Sequence, residues 1–296
     1  MQAIENTRIH LFILCPPFCG STLLWKLIST SRNVSALPDE GQFLPEARPL
    51  MRGDSVNPDK RIPWSAVEII WRRYWDLSKP ILLEKSPPNV MRADQIEAHF
   101  ENAAFIAMMR DPYAFCEGHH RRLGKGVKFA ADRWCQFAQM QRRNIQERAR
   151  ILYFTYEELT EDTCGVAQQI TDFLPELKSI DIDRTFKLKS IKGRRARPIA
   201  NLNESKIKHL SRREIHTIST ILDSHEELVN SFGYEILSAD AVQIPTTLHR
   251  RVTWAASRSR RWVDRSLRRL AIALGAKRRS VRGEPTDRSQ RPHDGP

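Results

Sequence analysis

The 296-residue chain carries 48 Lys and Arg against 35 Asp and Glu, a net charge of +13, with 41% hydrophobic and 28% charged residues. These are ordinary values for a globular protein, and no run approaches the 18 apolar residues that a membrane span needs, so a membrane-spanning chain is excluded. The charge is uneven: residues 250–296 hold 14 Lys and Arg against 4 Asp and Glu, which leaves only +3 for residues 1–249.

The length suits one α/β domain with an extension. Ile9–Cys15 is a continuous apolar run that reads as a buried parallel strand, followed by a helix from Thr22 to about Thr30. The run is too short for a signal peptide and lacks a basic flank or cleavage site, so the expected location is the cytoplasm. Residues 38–60 are rich in Pro, Gly and Asp and read as a long, functional type of loop. Pro63–Leu77 reads as a helix whose Trp64, Val67, Ile70, Trp71, Tyr74 and Trp75 stripe belongs to the core. Further strands are expected at Pro80–Leu83, Ala104–Met109 and Arg150–Tyr156, with helices near 90–100, after "RDP", and at 126–148, 161–174 and 211–231. This alternation predicts a doubly wound parallel sheet with helices on both faces.

Five cysteines (Cys15, Cys19, Cys116, Cys135, Cys164) are scattered, with no C-x-x-C pair and no His cluster at metal-ligand spacing. They read as reduced thiols, and no metal site is expected.

Ligands of open parallel sheets bind beyond the carboxyl ends of the strands. Three expected strands end in polar punctuation: "CPPFCGST" after the first, "EKSPPN" after the second and "RDP" after the third. In the first loop Gly20 lets backbone N–H groups approach an anion, Ser21 and Thr22 add hydroxyls, and the helix that follows adds its dipole. There is no Walker A lysine, and Phe18 stands where such a loop would carry a cation. Arg110, with Arg121 and Arg122 further along the next helix, suits a second phosphate. A third basic cluster, "SIKGRRARP", places Lys192, Arg194, Arg195 and Arg197 around Gly193 in a segment without periodicity.

Taken together these motifs resemble the sulfotransferases that use 3′-phosphoadenosine 5′-phosphosulfate (PAPS). "FCGSTLL" is similar to their 5′-phosphosulfate loop, "RDPYAFCEGHHRR" to their 3′-phosphate element, and "FTYEELTEDTCGVAQQITDFL" to a later strand–helix pair. "KGR" at 192–194 is similar to the segment that closes over the nucleotide. The resemblance spans residues 9 to about 200, in order. It implies a P-loop-like fold in which Cys19, Gly20, Ser21 and Thr22 hold the 5′-phosphosulfate, Arg110 and Arg122 the 3′-phosphate, and Lys192, Gly193 and Arg194 complete the clamp. It also implies PAPS as cosubstrate, a hydroxyl acceptor such as a saccharide or small metabolite, and no metal. A serine common in the family eight residues after the arginine is here Gly118.

Sulfuryl transfer, like phosphoryl transfer, relies on positioning and charge stabilisation. With Phe18 in the loop, Lys85 is the expected cation and Lys26 the fallback. The His base of the cytosolic branch is excluded because Pro87 stands in its place. The resemblance to carbohydrate and tyrosine sulfotransferases, which use a Glu from the segment after the first helix, implies Glu40 as the base with Glu46 second. His119 and His120 read as helix-surface residues.

Residues 1–240 thus form the expected domain. Residues 241–282 read as a basic amphipathic helix, and 283–296 as a disordered tail. Residues 248–282 suit an anionic membrane surface or a protein partner better than specific nucleic-acid binding. An inactive nucleotide-binding protein of the same fold is the alternative reading, and a P-loop kinase or NTPase is disfavoured.

Overall fold

The computed structural model describes residues 8–54, 56–190 and 193–238, side chains at 187–190 and 193–197 excepted. Lys192, the expected helix at 241–282, the tail 283–296 and the surface 248–282 therefore lie outside the described residues. The strand β1 (Ile9–Leu14) leads to α1 (Ser21–Ile28), β2 (Val34–Ala36), the short turn α2 (Arg48–Met51), α3 (Trp64–Trp71) and β3 (Ile81–Glu84). Then come α4 (Ala93–His99), β4 (Ala103–Met109), α5 (Pro112–Leu123), α6 (Val127–Glu147) and β5 (Ile151–Thr155). The chain continues through α7 (Tyr156–Glu161), α8 (Thr163–Phe173), β6 (Phe186–Ser190), β7 (Gly193–Arg197), α9 (Asn203–Ile207), α10 (Arg212–Asp223) and α11 (Glu226–Ser231).

Five strands form one parallel sheet in the order β2-β3-β1-β4-β5. The order reverses at β1. Leftward and rightward right-handed crossovers cover opposite faces, which makes the sheet doubly wound, and the reversal opens a crevice at the carboxyl ends of β3, β1 and β4. The register staggers these ends stepwise: the last residue of β3, Glu84, lies opposite Phe12, and the last of β1, Leu14, lies opposite Ala107. Every residue of β4 is buried, as a central parallel strand requires.

Helix α6 fixes the crevice from below through polar residues that are themselves buried. Gln141 donates to the Leu14 carbonyl at 2.6 Å, Asn144 to that of Val90 at 2.8 Å, and Trp134 to that of Arg110 at 2.9 Å. Each donor satisfies a carbonyl beyond the regular ladder and locks one strand end or its following loop.

Some elements differ from expectation. The expected helix at 63–77 stops at Trp71, because the chain then tightens into turns and the Asp76 amide bonds Ser35 at 2.7 Å. Its aromatic stripe is core as expected, with Trp71 stacked on Phe100, although Tyr74 stays exposed. The expected helix at 211–231 breaks at Ser224–His225, where His225 leaves helical dihedrals. The basic segment around Gly193 is not irregular but an antiparallel hairpin, with Ser190 opposite Gly193.

Candidate active site

The loop between β1 and α1 turns through two left-handed residues, Phe18 (φ 64°) and Gly20 (φ 99°). At Gly20 the position demands glycine twice over. Besides its dihedral, a Cβ there would lie 2.6 Å from Cδ2 of Tyr156. No side chain caps α1, Ser21 is buried and Thr22 exposed, so the helix offers its first turn to the crevice. The Cys19 thiol is buried and held up by burial and by Cys15, so it stays neutral.

Phe18 sends its ring away from the loop. It packs edge-on against Phe115 at 6.4 Å and His119 at 5.7 Å on α5. Its Cβ lies only 3.1 Å from where a side chain at Gly118 would begin. The two departures from the family pattern, Phe18 and Gly118, are thus one packing event. His119 is buried in this contact and its pKa is lowered by burial, so it is not the surface residue expected.

Arg110, just past β4, is 4% exposed, and only part of its guanidinium is tethered. Its Nε donates to Asn203 Oδ1 at 2.7 Å and its Nη1 to the Phe18 carbonyl at 2.9 Å. The Tyr156 ring lies 3.8 Å from Cζ. Nη2 is buried and makes no hydrogen bond. Behind Arg110, Glu157 accepts from the Asp111 amide at 3.0 Å, from Asn203 Nδ2 and from the Tyr234 hydroxyl at 3.0 Å. Arg122 reaches the same side, 6.0 Å from the Phe18 ring. Arg121 instead pairs with Glu117 at 3.1 Å.

At the end of β3, Lys85 Nζ donates to Glu40 Oε1 at 2.7 Å, with side chains 6% and 16% exposed. The structure therefore joins the expected cation and the expected base as one pair. Glu40 Oε2 accepts from Gln42 Nε2 at 2.6 Å. Glu46 faces Tyr74 instead, accepting from its hydroxyl at 3.0 Å, and Lys26 lies 5.7 Å from the ring of its neighbour Trp25.

The loop carrying Glu40 is anchored by Glu84, which accepts from the Gly41 amide at 3.0 Å, from Asn89 at 2.5 Å and from Ser86. Ser86 in turn accepts from the Gln42 amide at 3.1 Å. Burial pushes the Glu84 carboxyl up to about 7 against the hydrogen bonds that hold it down. A raised carboxyl binds more protons folded than unfolded. Its contribution is full below about 4.5 and is lost as pH rises through about 7, on the order of 3 kcal/mol. Half-buried His10, pushed down to about 4, acts in the opposite sense as pH falls below 6.5. Urea melts from pH 5 to 8 should therefore show the stability of Glu84→Gln rising relative to wild type with pH. A constant difference would mean that Glu84 is not protonated in the fold.

Sequence reasoning did not pick out Tyr156, Glu157, Asn203, Glu84 or Gln42 individually. The first two sit in the "YEEL" segment that carried the resemblance. Asn203 is 93 positions from its partner Arg110 and has no local signal. Gly193 and Arg194 open the second strand of the hairpin. Among the described residues no group of three or more His, Cys, Asp or Glu side chains is placed to hold a metal ion, and no helix is long and apolar enough to cross a membrane.

The model of the sulfotransferase family matches residues 10–177. No curated protein sequence matches the chain. Among solved structures, a sulfotransferase from Alicyclobacillus acidocaldarius aligns at TM-score 0.50 and 12% identity, over 77% of this chain and 97% of that one. The sulfotransferase domain from the curacin biosynthetic pathway aligns at 0.45 and 19%, over 77% and 98%. Mouse sulfotransferase SULT7A1 complexed with PAP aligns at 0.45 and 12%, over 77% and 92%. At such identities the likeness is one of fold.

Proposed function

Since the chain belongs to the sulfotransferase family, we propose that it transfers the sulfuryl group of PAPS to a hydroxyl acceptor, a saccharide or small metabolite. The observation that carries this reading is Arg110: a buried guanidinium fixed on two sides, whose Nη2 has no hydrogen-bond partner in the crevice at the end of β4. A buried donor left unpaired costs about 1–3 kcal/mol, a cost that a bound phosphate removes.

In this reading the backbone of Cys19 and Gly20, with Ser21 and Thr22, binds the 5′-phosphosulfate at the α1 N-terminus. Arg110 and Arg122 take the 3′-phosphate, and Lys192, Gly193 and Arg194 close over the nucleotide. The acceptor oxygen attacks sulfur in line with the bridging oxygen of the donor. The O–S bond to the acceptor forms as the S–O bond to the phosphate breaks, and the hydroxyl proton passes to Glu40. Lys85 stabilises charge on the sulfuryl and leaving oxygens. Once Glu40 is neutralised by that proton, Lys85 loses its counter-ion and its full charge is turned to the reacting group. A paired base and cation favour transfer over mere nucleotide binding.

Calorimetric titration with 3′,5′-adenosine bisphosphate tests the reading. Wild type should bind it well above ATP, and Arg110→Ala should lose at least tenfold in affinity. No binding by the folded wild type, or equal binding by the variant, would overturn it.

A further inference from the structure

Beside Arg110 stands a cation that the motifs do not assign. Lys206, on α9, places its Nζ 2.9 Å from the point where a Cβ on Gly118 would be, and the Cβ of Phe18 is 3.1 Å from the same point. The backbone carbonyl of that Phe18 accepts from Arg110. Asn203, one turn earlier on α9, holds Arg110 Nε. One short helix therefore docks on Arg110 through its first residue and delivers an amine to the same place through its fourth. Gly118 leaves the amine this place, since a Cβ there would crowd both it and Phe18.

The electrostatics of this corner are unbalanced. Lys206 donates to Glu117 Oε2 at 2.6 Å, but the same carboxylate also holds Arg121 at 3.1 Å and has His209 at 3.9 Å. Burial lowers the Lys206 pKa, and the nearby charges of Arg110 and Arg122 lower it further. Lys206, Arg110 and Arg122 repel one another across this half-buried corner. A bound dianion would offset that repulsion.

Resting on the donor reading above, we propose that Lys206 is a ligand of the nucleotide 3′-phosphate alongside Arg110, with Glu117 as the residue that positions its amine. The site thus replaces a short hydroxyl on α5 by a long amine from α9, reaching over a glycine.

The test is calorimetric titration of the full chain with 3′,5′-adenosine bisphosphate and with 5′-AMP, which lacks only the 3′-phosphate. Lys206→Met should weaken the bisphosphate roughly 10- to 100-fold and leave 5′-AMP within about threefold, whereas Lys206→Arg should keep most of the preference. If the Met variant fails to fold, Lys206→Gln is read by the same ratio. Unchanged bisphosphate affinity, or an equal loss for both nucleotides, as a purely structural lysine would give, overturns the proposal alone. A wild type that binds both nucleotides equally overturns the donor reading, and the proposal falls with it.

Discussion

Glu40→Gln should lower PAPS turnover by about 10²–10⁴-fold, followed as release of 3′,5′-adenosine bisphosphate, while the affinity for that product stays within about threefold. The amide is isosteric and keeps an oxygen for Lys85, but it cannot take the acceptor proton. The surrounding loop does not depend on the charge: Gly41 and Gln42 are held through their backbone amides by Glu84 and Ser86. The substitution removes the proton acceptor and also leaves the buried Lys85 without its counter-ion, so thermal melts accompany the kinetics. A variant that turns over at the wild-type rate would remove Glu40 from the chemistry. Glu46 is a poor substitute, since it is engaged by Tyr74 away from the pair.

The parts of this site that were legible in the sequence are those whose signal is local. β1 is a continuous apolar run ending at a Gly-Ser-Thr turn, and β4 ends in Arg-Asp-Pro, where Asp111 caps α5 by accepting from the Ala114 amide at 2.8 Å. Lys85 and Glu40 were named separately, from the end of one strand and from a loop. Their pairing across 45 positions follows from the adjacency of β2 and β3, which no local pattern encodes. β2 escaped notice because three residues at a sheet edge carry too little periodicity, and its identity as a strand comes from pairing with β3. The hairpin at 186–197 was hidden by its charge. Its first strand, "FKLKS", alternates with period two, but the arginines beyond it read as solvated surface.

Phe18 shows the limit most clearly. As sequence it is an anomaly, a hydrophobic residue where a cation is expected, and Gly118 is a second anomaly 100 positions away. In the fold they explain each other. A left-handed Phe18 turns its ring onto α5, and a Cβ at 118 would crowd it at 3.1 Å from its own Cβ. The same turn presents the Phe18 carbonyl to Arg110. The residue thus serves the crevice through its backbone, while the charge that its side chain lacks has to come from elsewhere.

In the proposed reaction that charge is supplied by Lys85. Lys85→Met keeps an unbranched chain of similar volume at a position 5% exposed and removes only the ammonium. Loss of one preorganised stabiliser should cost about 10²–10³-fold in turnover, or about 3–4 kcal/mol, with nucleotide affinity less affected. The single substitution also leaves Glu40 without its counter-ion, and breaking one half of a largely buried pair destabilises by roughly 3–5 kcal/mol. Thermal melts must therefore accompany the kinetics. The double variant Lys85→Met/Glu40→Gln removes both charges and should regain part of that stability. Its turnover should fall by less than the product of the two single losses, because base and cation act on the same transfer. If Lys85→Met is folded and turns over within threefold of wild type, the loop handles its anion with N–H groups and the helix dipole alone. Two independent losses that simply multiply would instead mean that Lys85 and Glu40 do not act as a unit.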